Sequence, residues 1–240
     1  MKDISYYADQ LDIQLTDKQL SQFERYMEMV IERNKVMNLT AITDPEDFAL
    51  KHFADSLSVV KAVEAAAPLK ASAVSLMDVG TGAGFPSIPL KIAFPNIKLT
   101  MLDSLNKRVG FLNEVIEELG LENTTAIHAR AEEGARLPEL RDSFDFVVSR
   151  AVARMNILTE FCLPFVKPGG LFIAYKSGEV SEELAGSENA IKQLAGSLED
   201  TVIFELADSD IARGFVLIRK TGKTPKKYPR KPGTAKKDPL

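Results

Sequence analysis

Apolar positions follow two regimes along the chain. Up to about residue 70 they recur at helical spacing. Leu20, Phe23, Met27, Val30 and Ile31 share one face at a period near 3.6, and Thr16 with Gln19 forms a capping box that opens this helix. Ile4 to Leu11 predicts a shorter helix before it. Asn34 to Thr40 breaks the pattern. Asp44-Pro45 then predicts a new start, with Phe48, Phe53, Leu57 and Val60 buried. The alanine-rich stretch Ala62 to Ala73, carrying Pro68, predicts a hinge.

From Val74 onward, short apolar runs alternate with amphipathic stretches. Val74 to Val79, Lys98 to Leu102, Thr124 to His128, Phe144 to Ser149 and Leu171 to Tyr175 read as strands. Pro86 to Phe94, Lys107 to Leu119, Met155 to Phe165 and Glu182 to Leu194 read as the helices between them. Val202 to Leu206 and Phe215 to Lys220 read as a closing antiparallel pair. Alternation of this kind predicts an α/β fold: a mostly parallel sheet with helices on both faces, binding ligands at the carboxyl ends of its strands. Lys223 to Leu240 is rich in Lys, Pro and Gly and predicts a mobile segment. The expected organisation is a helical layer at 1–70, a ligand-binding domain at 71–220 and a basic tail at 221–240.

Charge sharpens this division. The chain has 240 residues, 45% of them hydrophobic, and a net charge of −4. Residues 219–240 hold nine Lys or Arg against one acid, a net of +8, which leaves −12 on the rest. A basic tail on an acidic body points to a polyanionic partner. With Cys162 the sole cysteine and only His52 and His128 as histidines, no disulfide and no metal site is expected. The chain shows neither a signal pattern nor an apolar run of membrane-spanning length, so a cytoplasmic protein is expected.

The chemistry centres on Asp78-Val79-Gly80-Thr81-Gly82-Ala83-Gly84-Phe85-Pro86, where a strand turns into a helix. Glycines there permit positive φ and close ligand approach. Asp78 just before them is a poor neighbour for a pyrophosphate and a good one for an ammonium or sulfonium. The stretch resembles the acid-x-Gly-x-Gly-x-Gly motif of class I S-adenosylmethionine-dependent methyltransferases, which have a Rossmann-like fold. A glycine-rich turn that binds nothing is the plainer alternative. Asp103-Ser104 ends the second strand, at the distance where an acid accepts hydrogen bonds from ribose hydroxyls. A helix cap is the competing reading. In the methyltransferases this resembles, the loop after the third strand touches adenine, which implies Ala131 and Glu132; a solvated acidic loop would look the same.

The fourth strand ends Ser149-Arg150-Ala151-Val152-Ala153-Arg154. Arg150 and Arg154 could hold a phosphate or read a guanine edge. An Asn/Asp-Pro-Pro-aromatic motif, expected for exocyclic amine methylation, is absent there. Cys162 lies in an apolar run that suits a buried thiol better than a nucleophile. An acceptor that is already nucleophilic remains, and guanine N7 fits, needing positioning by Arg150 and Arg154 and no side-chain acid or base. In the tail, Lys226, Lys227, Arg230 and Lys231 can neutralise phosphates, and Tyr228 can stack on a base.

Together these residues closely resemble the RsmG (GidB) family of bacterial 16S rRNA guanine-N7 methyltransferases. The resemblance is carried by Asn38-Leu39-Thr40, His52-Phe53-Ala54-Asp55-Ser56-Leu57, the glycine motif, Asp103 to Arg108, Ser149-Arg150-Ala151 and the Pro225-to-Gly233 block. It implies S-adenosylmethionine as cofactor, with Gly80, Phe85, Ala131, Glu132 and Arg150 touching it. It also implies 16S rRNA or a small-subunit particle as partner. A monomer is expected. Two rivals remain: a methyltransferase for a protein or small molecule, and a non-catalytic RNA-binding protein. His52, Asp55 and Ser56 receive no role beyond packing the helical layer over the crevice.

Overall fold

The structure, a computed structural model, describes residues 2–62 and 73–240. The expected hinge at Ala62 to Ala73 falls almost wholly outside them. Seven strands form one sheet: β1 (Ser75–Val79), β2 (Lys98–Asp103), β3 (Thr124–His128), β4 (Phe144–Arg150), β5 (Val166–Ser177), β6 (Gly196–Glu205) and β7 (Ala212–Lys220). Their order is β3-β2-β1-β4-β5-β7-β6. β1 to β5 are mutually parallel, and β7 runs antiparallel between β5 and β6.

Alternation along each strand divides the core between two faces. Leu76, Phe146, Val148, Leu171, Ile173, Tyr175, Phe215 and Leu217 pack on one face with the N-terminal helices. Met77, Val147, Phe172, Ala174, Val216 and Ile218 pack on the other. Among the described residues the N-terminal layer has α1 (Ile4–Asp9), α2 (Asp17–Met37), α3 (Pro45–Phe48) and α4 (Asp55–Leu57), with a π-helical stretch, Ala49–Ala54, joining the last two and a 3₁₀ turn, Ser58–Ala62, following. Thr16 and Gln19 form the expected capping box. In α2, Phe23 and Val30 are buried while Leu20, Met27 and Ile31 are half-covered. Tyr26, outside the predicted stripe, is fully buried, and its hydroxyl donates to Ala83 O at 2.7 Å. Val59, rather than Val60, is the buried neighbour of Leu57.

Beyond the glycine motif lie α5 (Ser87–Ala93), α6 (Asn106–Glu118), α7 (Ala131–Gly134) and α8 (Met155–Cys162). α8 ends three residues early, because Pro164 has no N–H to continue the ladder and a 3₁₀ turn, Leu163–Phe165, follows. β5 is longer than predicted: Lys167 to Gly170 lies within it as an irregularity opposite Phe144 and Phe146. The predicted helix from Glu182 to Leu194 is two pieces, α9 (Ser181–Ala185) and α10 (Glu188–Gln193), interrupted where Ser187 Oγ takes the Leu184 carbonyl.

The tail corrects the expectation of a mobile segment. It folds back onto the sheet and ends in α11 (Thr234–Lys237). Tyr228 and Ala235 join the α8-side core. Arg141 holds the carbonyls of Thr224 and Pro225 at 3.0 and 3.2 Å, and the buried Lys220 ammonium donates to Leu163 O at 2.8 Å. Composition pointed to disorder, but specific pairing with the body supplies the missing stabilisation.

Candidate active site

The turn after β1 holds Gly80, Gly82 and Gly84 at φ of +73°, +63° and +108°. A side chain at Gly80 would reach Val152 Cγ2 at 2.6 Å, and one at Gly84 would strike Ile88 and the Tyr26 hydroxyl. Gly84 is therefore required by the packing of α2 and α5, not by clearance for a ligand. A side chain at Gly82 would meet open space.

A cleft of about 440 Å³ opens at the carboxyl ends of β1 and β2. Five of the predicted residues line it: Gly80, Asp103, Ser104, Ala131 and Glu132. Asp103 accepts the Gly82 N–H at 3.0 Å and the Leu105 N–H at 2.9 Å, and Arg108 Nη1 lies 3.4 Å away. It thus ties two turns together and still faces the cleft. Glu132 is buried and accepts the Gly233 N–H at 3.0 Å. Arg108, Gly233 and Lys236 also line the cleft. The motif around Asp103 contains Arg108 and the Pro225-to-Gly233 block ends on Gly233, whereas nothing local in sequence marks Lys236.

Asp78, Gly82, Gly84, Phe85 and Arg150 stand outside that lining. Asp78 is fully buried behind the glycine turn, pointing to the N-terminal face by strand parity. Its Oδ2 accepts from Thr81 Oγ1 at 2.7 Å and Ser87 Oγ at 2.6 Å, and its Oδ1 has no partner. Burial pushes its pKa up to about 7, against hydrogen bonds from Ser87 and Thr81 and the charge of Arg150. A buried carboxylate with one unsatisfied oxygen is an open invitation to a cation.

Arg150 lies on the same face as Asp78, in a second cavity of about 430 Å³ shared with Lys51, His52, Asp55, Tyr175, Lys176 and Arg213. Residues 150, 175 and 213 all point there by strand parity, Arg150 pairing with Tyr175 in register and Ser177 with Arg213. The buried Asp55 carboxylate takes Arg150 Nη1 and Arg213 Nε, each at 2.6 Å. The Phe85 ring stacks on His52 at 4.4 Å and lies 5.2 Å beneath the Arg150 guanidinium. Arg150 Nη2, a donor, is 3.3 Å from His52 Nδ1, so Nδ1 accepts and the ring proton sits on Nε2, 2.7 Å from Thr40 Oγ1. Burial, reinforced by Arg150, drives the His52 pKa down to about 3, so the ring is neutral. His52 and Asp55 therefore hold Arg150 in place, a role sequence reasoning missed. Ser56 donates its hydroxyl to the His52 carbonyl at 2.5 Å and accepts Tyr175 Oη on its own carbonyl at 2.8 Å.

The two cavities flank the tip of β4 and share one residue, Ala151, held at φ +57°. Arg154 is exposed at the start of α8. Lys226, Lys227 and Lys231 are exposed. Two tail expectations fail. Tyr228 is buried with its hydroxyl on Gln193, so its ring offers no face to a base. Arg230 is spent on Glu160, with Nη2 to Oε2 at 2.7 Å and Nε 3.1 Å from both oxygens.

Residues 19–211 match the GidB family, described as rRNA small subunit methyltransferase G. This chain belongs to that family. The Ribosomal RNA small subunit methyltransferase G of Lachnoclostridium phytofermentans is 53% identical over 230 residues, 96% of this chain and 93% of the relative. That of Lactococcus lactis is 48% identical over 231 residues, 96% and 95% of the two chains. Among solved structures, Aeropyrum pernix fibrillarin with natively bound S-adenosyl-L-methionine superposes with a TM-score of 0.50 at 13% identity, covering 63% of this chain and 68% of the other. At that identity the likeness shows the class I methyltransferase fold alone.

S-adenosyl-L-methionine is the cofactor of rRNA small subunit methyltransferase G proteins, and this site fits it. The unpartnered Asp78 Oδ1, the open space over Gly82 and the buried acids Asp103 and Glu132 supply what an ammonium, a ribose and an adenine require. Among the described residues no group of His, Cys, Asp or Glu is placed to hold a metal ion. No described helix is long and apolar enough to cross a membrane.

Proposed function

We propose that the chain methylates N7 of a guanine in 16S small-subunit ribosomal RNA, with the donor in the cleft and the guanine presented from the Arg150 cavity. The observation that carries this reading is the meeting of the two cavities at Ala151. When bound, S-adenosyl-L-methionine supplies an electrophilic methyl group on a sulfonium. The chain's own residues position the partners. Asp78 and the glycine turn hold the amino-acid end of the donor, and Asp103 holds its ribose. Ala131 and Glu132 border its adenine, with Ser104 at the rim.

Guanine N7 carries an in-plane lone pair and no proton, so the acceptor needs no base. The cavity matches that demand: His52 has both ring nitrogens engaged, and Asp55 is held between two guanidiniums. Lys51, Arg150, Lys176 and Arg213 outnumber the acids they pair with, Asp47, Asp55 and Glu183, and the net positive charge this leaves suits a flanking phosphate. Arg154 and the outward-facing Lys226, Lys227 and Lys231 extend that surface. The substrate is 16S rRNA or the particle that carries it, met by a monomer in the cytoplasm.

The test is transfer of labelled methyl from S-adenosyl-L-methionine to 16S rRNA and small-subunit particles from a strain lacking the gene. The product is located by the strand cleavage that 7-methylguanine permits. Label at one guanine is expected. Absence of label in both substrates refutes the reading.

A further inference from the structure

The last segment of the chain is fastened to the body by contacts that converge on the cleft. Gly233 and Lys236 form part of its wall. The Gly233 N–H donates to Glu132 Oε1 at 3.0 Å, from a backbone at φ +84° that favours glycine. Three residues earlier, Arg230 closes on Glu160 with its backbone N–H at 2.7 Å and its side chain at 2.7 to 3.1 Å. Glu160 is fully buried, and its neighbour Phe161 lines the same cleft. Without Arg230 that carboxylate would be an uncompensated buried charge. Tyr228 and Ala235, both buried, anchor the segment on either side of the clamp.

We propose that this segment is the outer wall of the cofactor cleft. Arg230 and Gly233 are positioning residues: Gly233 fixes the Glu132 carboxylate, and Arg230 fixes the segment through Glu160. Lys236 places a cation at the rim. The tail thereby acts on cofactor affinity in the absence of RNA, in addition to any contact its outward lysines make. The inference rests on reading the cleft as the S-adenosyl-L-methionine site.

Calorimetric titration of the full chain with S-adenosyl-L-methionine, without RNA, tests it. Arg230→Ala is expected to weaken binding about tenfold, because a wall displaced by a fraction of an ångström misplaces Glu132. Arg230→Lys, keeping charge without the two-pronged fork, is expected to recover part of the loss. Lys236→Glu, at an exposed side chain the core does not use, is expected to shift affinity by about threefold with an unchanged melting temperature. Lys98→Glu, on an exposed side chain at the amino end of β2 and outside the cleft lining, is the control and is expected to bind as the parent does. Should Arg230→Ala fail to fold, Lys236→Glu decides alone. Parent-like affinity in Lys236→Glu together with any folded Arg230→Ala overturns the proposal while leaving the cleft assignment intact. A parent chain that binds no cofactor overturns the cleft assignment itself.

Discussion

The cleft on one side of Ala151 and the cationic cavity on the other are built by different means. The cleft takes Gly80, Asp103, Ser104, Ala131 and Glu132 from the ends of three successive strands, each within a few residues of a recognisable turn. The cavity takes Asp55 from a helix and joins it to Arg150 and Arg213, 95 and 158 positions away. One side is a local motif repeated along a sheet edge. The other exists only once the N-terminal layer is seated on the sheet. The difference teaches where variation can be tolerated: the cleft depends on backbone conformation at a few turns, and the cavity depends on charge balance around a single buried carboxylate.

Removing that carboxylate should separate the two sides most sharply. Asp55→Ala leaves Arg150 and Arg213 facing each other without their shared partner, a loss of about 3–5 kcal/mol in a buried network. Methyl transfer should fall by about a hundredfold or more, since Arg150 loses its fixed position. Calorimetric cofactor affinity should fall far less, because Asp103 and Glu132 in the cleft are untouched and only the charge of Arg150 near Asp78 is displaced. Equal loss of both would mean the cavities are not independent.

Gly80→Ala attacks the other side. At φ +73°, with Val152 Cγ2 at 2.6 Å from the new methyl, strain of about 1–3 kcal/mol is expected. Cofactor binding should weaken while RNA binding measured by filter retention is retained. Loss of RNA binding alone would reverse the assignment of the two cavities.

Two buried titratable groups predict opposite pH slopes. Asp78 ionises near 3.8 when unfolded and about 7 when folded, so the folded chain holds the extra proton between those values. Its contribution to stability declines as pH rises from about 4 to about 7. His52 titrates near 6.5 when unfolded and about 3 when folded, so the unfolded chain holds the extra proton, and its contribution grows over about pH 3 to 6.5. Melting temperatures between pH 4 and 8 should show Asp78→Asn losing the falling component and gaining stability at pH 8, at the cost of cofactor affinity. A variant that melts like the parent at every pH would show that Asp78 does not carry this proton.

The smallest effects belong to the outward lysines. Lys226→Ala and Lys231→Ala should each change stability by less than about 0.5 kcal/mol. For every phosphate that a removed lysine had neutralised, the salt slope of RNA binding should fall by about 0.7 to 0.9. An unchanged slope for both variants would remove these lysines from the RNA surface.

Much of the fold was legible because the signals are local. Strand β3 falls at Thr124–His128 as read from its apolar pattern, and the Thr16–Gln19 box opens α2 where its residue types require. Boundaries shifted where a single residue competes with the pattern, as at Pro164 and Ser187. The tail was misjudged because low hydrophobicity excludes a private core but says nothing about pairing with someone else's acid; Glu160 supplied that partner. Tyr228 and Arg230 look like a nucleic-acid patch in sequence and are spent on the body in three dimensions.

By itself, the sequence determined the alternation of strands and helices, the glycine turn behind Asp78, the acids at the strand ends and the resemblance that names the donor. These are short-range properties, set by backbone sterics and by periodic burial. The tertiary structure alone decided that His52 and Asp55 would brace Arg150, that Tyr26 would fill the space left by Gly84, and that the tail would wall the cleft. Such contacts depend on which distant groups are brought together out of water, and electrostatic pairing of buried groups is fixed by distance in space, to which position along the chain is no guide.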